Sequence, residues 1–251
     1  MNRKELLRYL ILRTIGNFLV LFAIFGIVAT FGPAIYYEIS FKVLQARGVR
    51  YVIAATGAVV PTPSPVGQNP QITPKAMPTP IPFKTSGGVD NLSEVLTGPQ
   101  VQILTPKDTK FSIVIPKIGA SAKVYPNVDP NNENAFLPIL QKGVAHAKGT
   151  VFPGMKGNIY LFAHSTDNFW DVGRYNAVFY LLKDLQPGDE VVIFFENKRH
   201  EYIVKSSKIV NPNDTSYIIN SHNQNKEQLV LQTCWPPGTT WQRLLVFAEP
   251  K

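Results

Sequence analysis

The 251-residue chain has the length of one domain with additional segments, and its composition, 45% hydrophobic and 17% charged, is that of a folded protein. Its net charge of +8 points to nucleic acid, but +5 of it falls within residues 1–50, where seven Lys/Arg stand against two Glu. This basicity flanks an apolar segment and forms no patch on the rest of the chain, so we expect no nucleic-acid partner.

The N-terminal segment predicts a membrane anchor. Residues 15–36 contain no charged side chain, and 22 helical residues span roughly 33 Å, enough for a bilayer core. A cleaved signal peptide has a shorter apolar core, and a buried core helix would need a partner domain on this side of the linker. The positive-inside rule predicts residues 1–14 to be cytoplasmic, residues 15–36 to be a single-pass signal anchor of the cell membrane, and the rest to be extracellular. The basic residues behind this orientation are Arg3, Lys4, Arg8 and Arg13.

Residues 37–100 are predicted to be a juxtamembrane segment followed by a Pro-rich linker. Residues 38–55 are compatible with either helix or strand. Eight prolines between Pro61 and Pro82 then interrupt a stretch rich in Thr, Gln and Ser, which cannot bury a core. We expect a semi-extended spacer at about 3.1 Å per residue, so that forty residues reach at most about 120 Å from the membrane. A Pro-rich ligand for aromatic grooves is the alternative.

Residues 101–251 read as a mainly β domain. Short apolar runs bounded by turn residues predict strands within 111–116, 158–164, 190–195, 200–210, 229–234 and 241–248, with a hairpin turn at Glu196–Arg199. One helical period, Val178, Leu181, Leu182 and Leu185, ends at Pro187. Many short strands with few helices favour a closed barrel or a sandwich.

Cys234 is the only cysteine, which excludes an intramolecular disulfide. It ends an apolar strand and precedes Trp-Pro-Pro-Gly, a position that exposes a side chain at a barrel rim. A free thiol at its reference pKa near 8.5 is only about 3% thiolate at pH 7, so a nucleophilic cysteine needs a nearby His or cation. The alternative is a buried structural cysteine.

Four histidines are candidates for that partner. His164 ends a predicted strand, and His146, in Gly-Val-Ala-His-Ala, is its rival. His200 lies in a charged hairpin and His222 in a polar loop, where we expect both to be solvated. A lone histidine is more often structural than catalytic, so the pattern by itself leaves the choice open.

Arg243 follows Cys234 by nine residues, at the start of the last apolar run. A tight return between the two strands would place the two side chains next to each other. A guanidinium in that position can donate hydrogen bonds to an oxyanion. The alternative is an arginine on a strand face in a surface salt bridge.

Together these residues resemble the sortase family over about residues 110–251. Leu231, Thr233 and Cys234 with Arg243 are similar to its Thr-Leu-x-Thr-Cys … Arg signature. Two further segments, GVAHAKGT with the strand into His164 and Phe179 through Asp189, resemble other family blocks.

Two positions depart from the family pattern. Val230 replaces the first Thr of the signature, and Ala163 replaces the Gly before the histidine. Neither change removes a reacting group, so we interpret both as packing changes. The turn after Cys234 favours the housekeeping or class D/E-like sortases.

The resemblance implies an eight-stranded sortase-like β-barrel with short helices over residues 101–251. It implies a cysteine transpeptidase whose Cys234 attacks a sorting-signal peptide of the Leu-Pro-x-Thr-Gly kind to form a thioester. His164 would act as general acid and base, and Arg243 would hold the oxyanion or the peptide. The acyl group would pass to an amine of a cell-wall precursor or to a pilin lysine. No cofactor is implied, and we find no ligand spacing for a metal site.

Two other functions remain open from the sequence. An extracellular cysteine hydrolase would use water in place of the amine. A non-catalytic anchored β-domain would present a binding surface and keep Cys234 as a structural residue. Thiol reactivity separates the second from the enzymes, and product analysis with an added amine separates the two enzymes.

Overall fold

The computed structural model describes residues 3–53, 96–97, 100–165, 178–223, 225–237 and 239–251. The chain begins with a long helix, α1 (Arg3–Ala46). Its apolar window, Leu6–Val28, is long enough to cross a membrane, and none of it is buried inside the molecule. The stretch 38–55, left open above, is helix up to Ala46 and then enters a strand.

The rest of the described chain is mostly strands joined by short helical pieces. Its α-helices include α2 (Glu133–Leu140) and α3 (Ser216–Ile219), and 3₁₀ helices cover Pro116–Ile118, Tyr180–Asp184 and Ser221–Asn223. The strands are β1 (Arg50–Ile53), β2 (Val101–Leu104), β3 (Phe111–Ile115), β4 (Ala120–Val128), β5 (Val144–Ala147), β6 (Gly157–Phe162), β7 (Glu190–Phe195), β8 (Lys198–Val210), β9 (Glu227–Trp235) and β10 (Gln242–Pro250).

Strands β3 to β10 close into a barrel in the order β10-β8-β7-β3-β4-β5-β6-β9. The predicted eight-stranded, mainly β architecture is therefore confirmed. The predicted hairpin is formed by β7 and β8, and its two turn residues, Glu196 and Asn197, both have positive φ values of 48° and 63°. Positive φ at both central positions is the type I′ turn, whose twist matches that of the paired strands.

The barrel strands carry apolar side chains on both faces. The interior cluster takes alternate residues from all eight strands, for example Ile113, Leu161 and Leu231. On the outer face, a second cluster packs strands β4, β5, β6, β9 and β10 against α2 and α3. A third, smaller cluster packs the outer face of β3 and β7 against β1 and β2. Because both faces are covered, these strands read as continuous apolar runs.

Strands β1 and β2 pair with each other on the two sides of the predicted Pro-rich linker. The two strands are parallel, with Ile53 opposite Leu104 at the end of the ladder. The predicted spacer itself lies outside the described residues. The pairing brings residues 50–53 next to residues 101–104.

Three further elements differ from the sequence predictions. The helical period around Leu181 and Leu182 forms a 3₁₀ helix of five residues. Strands β4 and β5 were not predicted, because β4 contains Pro126 and lacks strict alternation, while β5 is only four residues long.

Candidate active site

Three neighbouring strands bring the sequence-predicted site residues together. Strand β9 lies between β6 and β10 in the barrel. Cys234 near the end of β9 is the register partner of Arg243 near the start of β10. Register partners on neighbouring strands stand about 4.5–5.5 Å apart at the backbone, so the two residues are direct neighbours. The tight return predicted from the sequence is therefore present.

His164 reaches the other side of Cys234 through β6. Strands β6 and β9 run parallel, and their last register pair is Phe162 with Gln232. The alignment continues beyond it, since the Ala163 N–H donates to the Gln232 carbonyl at 3.2 Å. Extending this register by two residues on each strand brings His164 to the position next to Cys234. Cys234 thus occupies the middle of a row, with His164 on one flank and Arg243 on the other.

Thr233 fastens the two strand ends that carry this row. Its hydroxyl, buried in the barrel, donates to the Ala163 carbonyl at 3.2 Å. Ala163 immediately precedes His164, and Thr233 immediately precedes Cys234. A serine- or threonine-sized hydroxyl is needed here, because a valine would leave the buried carbonyl without this donor. The hydroxyl of Thr233 in the signature is therefore needed to hold the ends of β6 and β9 together.

All three side chains belong to the outer face of the barrel. Side chains alternate between faces along a strand, so residues two positions apart share a face. His164 shares a face with Phe162, Cys234 with Gln232, and Arg243 with Leu245. Phe162 and Leu245 belong to the outer apolar cluster. Cys234, His164 and Arg243 are each partly exposed, so the row is open to a ligand.

Arg243 is held by the loop that leads into its own strand. Its Nη1 donates to the carbonyls of Thr240 and Gln242, both at 3.1 Å. These bonds use Nη1, which leaves Nε and Nη2 as donors for a ligand with a carbonyl or an oxyanion. The guanidinium is also near Tyr160: burial raises the pKa of that phenol, and the positive charge of Arg243 partly opposes the rise.

Tyr160 and Gln232 form a polar contact beneath the row that the sequence reading missed. The buried Tyr160 hydroxyl donates a hydrogen bond to Gln232 Oε1. Gln232 directly follows the apolar residues Leu229–Leu231 of the same strand. A polar residue at this position was the sequence feature that could have indicated the contact. This bond orients the side-chain amide of Gln232, which lies two residues before Cys234 on the same face of β9.

His146, the rival histidine, is part of the core. Its ring is fully buried and stacks on Phe152 with 4.5 Å between centroids. Nδ1 accepts from the Asn127 N–H at 3.3 Å, so Nε2 carries the proton and donates to the Val151 carbonyl at 3.0 Å. Burial lowers the pKa of His146, which keeps the ring neutral. The structure thus keeps His146 apart from Cys234.

The remaining histidines lie elsewhere. His200 is half-buried on β8, next to Gly154, and His222 is exposed in the last 3₁₀ helix. In the described part of the chain, no group of three or more His, Cys, Asp or Glu side chains is arranged to hold a metal ion.

Several known proteins are similar to this chain. One is Sortase D of Bacillus subtilis (strain 168), 31% identical over 138 residues. The match covers 54% of this chain and 60% of the relative, so the chain matches somewhat less than two thirds of that protein's length.

Solved sortase structures are similar over a comparable region. Sortase C-1 from Actinomyces oris is 26% identical, with a TM-score of 0.48 over 58% of this chain and 76% of that chain. Sortase A from Corynebacterium diphtheriae is also 26% identical, with a TM-score of 0.48 over 59% of this chain and 62% of that one. The family model described as the sortase domain matches residues 113–251, which is more than half of the chain and includes the whole row of candidate residues. On this match, the chain belongs to the sortase family.

Proposed function

We propose that this chain is a membrane-anchored cysteine transpeptidase that cleaves a sorting-signal peptide through a thioester and passes the acyl group to an amine. The observation that carries the proposal is the row of His164, Cys234 and Arg243 on adjacent strand ends. A nucleophile, a proton carrier and an oxyanion donor within reach of one carbonyl are what acyl transfer requires. The family is one of cysteine transpeptidases, which supports this reaction.

In the first half of the reaction, the Cys234 thiolate attacks the carbonyl carbon of the scissile amide. The carbonyl oxygen gains negative charge, which the Nε and Nη2 groups of Arg243 stabilise by hydrogen bonds. The carbon–nitrogen bond then breaks, and His164, as imidazolium, gives its proton to the leaving amine. The product is a thioester on Cys234, with the C-terminal part of the peptide released.

In the second half, an incoming amine attacks the thioester carbonyl. Neutral His164 takes a proton from this amine, the carbon–sulfur bond breaks, and Cys234 leaves as thiolate. The free enzyme is regenerated with its imidazolium and its thiolate. The amine of a cell-wall precursor or of a pilin lysine is the acceptor that we propose.

The same proposal covers the organisation of the chain. Residues 1–14 lie in the cytoplasm, residues 15–36 cross the cell membrane, residues 37–100 form the juxtamembrane segment and linker, and residues 101–251 form the extracellular catalytic domain. The apolar, unburied helix α1 and the basic residues before position 15 support this topology. The similarity to a Sortase D, at 31% identity, supports the class D/E-like placement that we propose.

The reaction is tested with the full chain in detergent micelles, a Leu-Pro-x-Thr-Gly-type peptide and a glycine-based amine. We expect a ligated peptide from the natural chain, and none from Cys234→Ala, whose thermal melting should be unchanged because a partly exposed rim cysteine adds little packing. Mass spectrometry identifies the product. Only the hydrolysed acid at every amine concentration would mean a hydrolase, and a fully active Ala variant would remove Cys234 from the mechanism.

A further inference from the structure

Gln232 stands at the variable position of the Thr-Leu-x-Thr-Cys signature. It is not part of the row of candidate residues, yet it lies on the same face of β9, two residues before Cys234. Its register partners are Phe162 on β6 and Leu245 on β10. We call Phe162, Gln232 and Leu245 the second rung, because they lie directly next to the row on the outer face of the barrel.

Gln232 is the part of the second rung that a ligand can reach. Leu245 is fully buried and Phe162 is 5% exposed, whereas Gln232 is half-buried. Phe136 of α2 packs edge-on against Phe162, with 6.0 Å between the ring centroids, so α2 covers Phe162 from the outside. Of the three side chains in the rung, only that of Gln232 forms hydrogen bonds. A peptide that lies along β9 therefore meets one polar group on a floor that is otherwise apolar.

Tyr160 fixes the direction of the Gln232 side-chain amide. Tyr160 is the register partner of Val230, one rung further from the row. Its side chain is 1% exposed, and burial raises its pKa, so the hydroxyl keeps its proton and donates to Gln232 Oε1. Since Oε1 is turned towards Tyr160, the Nε2 group at the other end of the planar amide points away from it, towards the open side of the rung. Among the described residues, none accepts a hydrogen bond from Gln232 Nε2, which is left as a donor for a ligand.

The proposed reaction decides which part of the peptide lies over Gln232. The leaving nitrogen takes its proton from His164, so it lies on the β6 side of the scissile carbon, and the carbonyl oxygen lies on the β10 side with Arg243. The sulfur of Cys234 approaches the carbon from the barrel. The remaining bond of the tetrahedral carbon leads to the acyl part of the peptide and runs along β9. In one direction β9 ends at Trp235, and in the other it continues under the second rung. We therefore place the acyl part over Gln232.

The spacing along β9 selects one carbonyl of the acyl part. Gln232 and Cys234 are two residues apart, which is about 6.6 Å along a strand. An extended peptide has the same rise per residue, and its carbonyls two residues apart point in the same direction. The carbonyl two residues before the scissile one therefore comes next to Gln232. On an apolar floor this carbonyl loses its hydrogen bond to water, so it needs a donor from the protein.

We propose that Gln232 is a positioning residue for the acyl part of the substrate: its Nε2 donates to the backbone carbonyl two residues before the scissile one, and Tyr160 fixes the direction of its amide. This inference rests on the proposed transpeptidase reaction and adds the residue that aligns the peptide on β9. The hydrogen bond persists in the thioester, because the acyl part stays bound through both halves of the reaction. A contact to the peptide backbone tolerates different side chains, so it sets the register of the peptide on the barrel.

The hydrogen bond is tested by peptide binding without catalysis. The full chain with Cys234→Ala is kept in detergent micelles, and the affinity of a fluorescent Leu-Pro-x-Thr-Gly-type peptide is measured by anisotropy. In a second peptide, a trans-alkene replaces the amide two residues before the cleaved one, which removes the carbonyl and keeps the backbone extended and uncharged. Both peptides are also measured with Gln232→Leu and Tyr160→Phe added together. We expect the alkene to cost about fivefold more affinity in the chain that keeps Gln232 and Tyr160, the scale of one hydrogen bond.

The two substitutions are combined because they remove both partners of one hydrogen bond and leave no buried hydroxyl without an acceptor. Melting temperatures check that the fold is kept. An equal loss of affinity in the two chains would overturn the inference, since Gln232 would then make no contact with this carbonyl. If no chain binds either peptide, the proposed substrate is wrong and this inference falls with it. Binding with an equal loss contradicts this inference alone.

Tyr160→Phe by itself tests how the amide is oriented. The ring stays in the outer cluster and only the donor is lost, so the amide of Gln232 is free to turn. We expect an alkene effect between those of the other two chains. Tyr125→Phe is the matched control, because it removes a hydroxyl next to the same cluster on β4, which β5 separates from β6. If the alkene effect is the same in Tyr160→Phe and Tyr125→Phe, Tyr160 does not orient the glutamine.

Discussion

At the scale of single residues, two histidines of one barrel have opposite surroundings. His164 lies at a strand end beside the only thiol, whereas His146 is enclosed by aromatic rings and bonded at both nitrogens. Their neighbours in the chain did not distinguish them, because each follows an apolar run. The two histidines are distinguished by the register of β6 against β9.

This difference predicts the effects of removing each ring. His164→Ala should lower turnover by at least about 100-fold, the usual scale for a lost general acid and base. His146→Ala should lower the melting temperature, because it leaves the buried Val151 carbonyl without its donor, yet keep turnover within a few-fold. Peptide-cleavage rates on folded samples compare the two variants. If His146→Ala loses more turnover than His164→Ala, the histidine has been misassigned.

Arg243 is predicted to act through the shape of its side chain as well as its charge. Its Nη1 is held by two loop carbonyls, so the planar group presents its other donors in a fixed direction. A lysine places a compact charge on a flexible stem and cannot make both sets of bonds. We therefore expect Arg243→Lys to be no more active than Arg243→Ala in kcat/KM measurements. An active Lys variant would indicate that charge alone suffices.

Burial of His146 predicts a pH dependence of stability. Burial lowers its pKa in the folded chain, while a histidine in the unfolded chain titrates near 6.5. Below that pH the unfolded chain gains a proton that the folded chain lacks, so the free energy of unfolding falls, by at most about 1.4 kcal/mol per pH unit. Denaturant unfolding at pH 7.5 and 5.5 should show a smaller loss for His146→Gln than for the natural chain. An identical loss in both would exclude His146 as its source.

At the scale of elements, the short parallel pair β1 and β2 sets the positions of the chain segments on either side of the predicted linker. The four-residue pairing brings β1, which precedes the Pro-rich stretch, next to β2, which follows it. Long closed loops are tolerated, since each doubling of loop length costs only about 0.6 kcal/mol. Composition indicates a linker, but it does not specify where the ends of a linker lie.

The ladder predicts a specific cross-link. Val52 and Ile103 are register partners with exposed side chains, at a backbone separation that suits a disulfide. In a Cys234→Ala background, Val52→Cys with Ile103→Cys should oxidise to an intramolecular bond, detected by mass spectrometry after proteolysis. Arg50→Cys with Leu104→Cys, at opposite ends of the ladder, is the control and should not. Failure of the first pair would mean that the linker ends are apart.

At the scale of the whole molecule, the contacts of the barrel extend beyond the matched family region. That region begins at residue 113, but Phe41 belongs to the interior cluster, and Tyr51 and Ile53 of β1 pack against an outer face of the barrel. These contacts join residues on both sides of the boundary predicted at residue 101.

Truncation tests this boundary. A chain of residues 37–251 keeps Phe41 and β1, whereas a chain of residues 101–251 loses both. We expect the shorter chain to melt at a lower temperature, since burial of Phe41 alone contributes about 1.5–3 kcal/mol. A third chain, 37–251 with Phe41→Ala, should fall between them. Equal melting temperatures for the first two would show that the docked segment adds nothing to the stability of the barrel.

The sequence by itself determined the apolar helix and the six main strands, because the period of apolar residues is a local pattern. The closed barrel and the choice of His164 beside Cys234 and Arg243 were expected only from the resemblance to the sortase family. In the tertiary structure, the register between β6 and β9 brings the end of β6 that precedes His164 next to the end of β9 that carries Cys234. The tertiary structure also decided that Tyr160 bonds Gln232 and that Phe41 of α1 belongs to the interior cluster of the barrel. These contacts join residues 70 or more positions apart, and no local pattern encodes them.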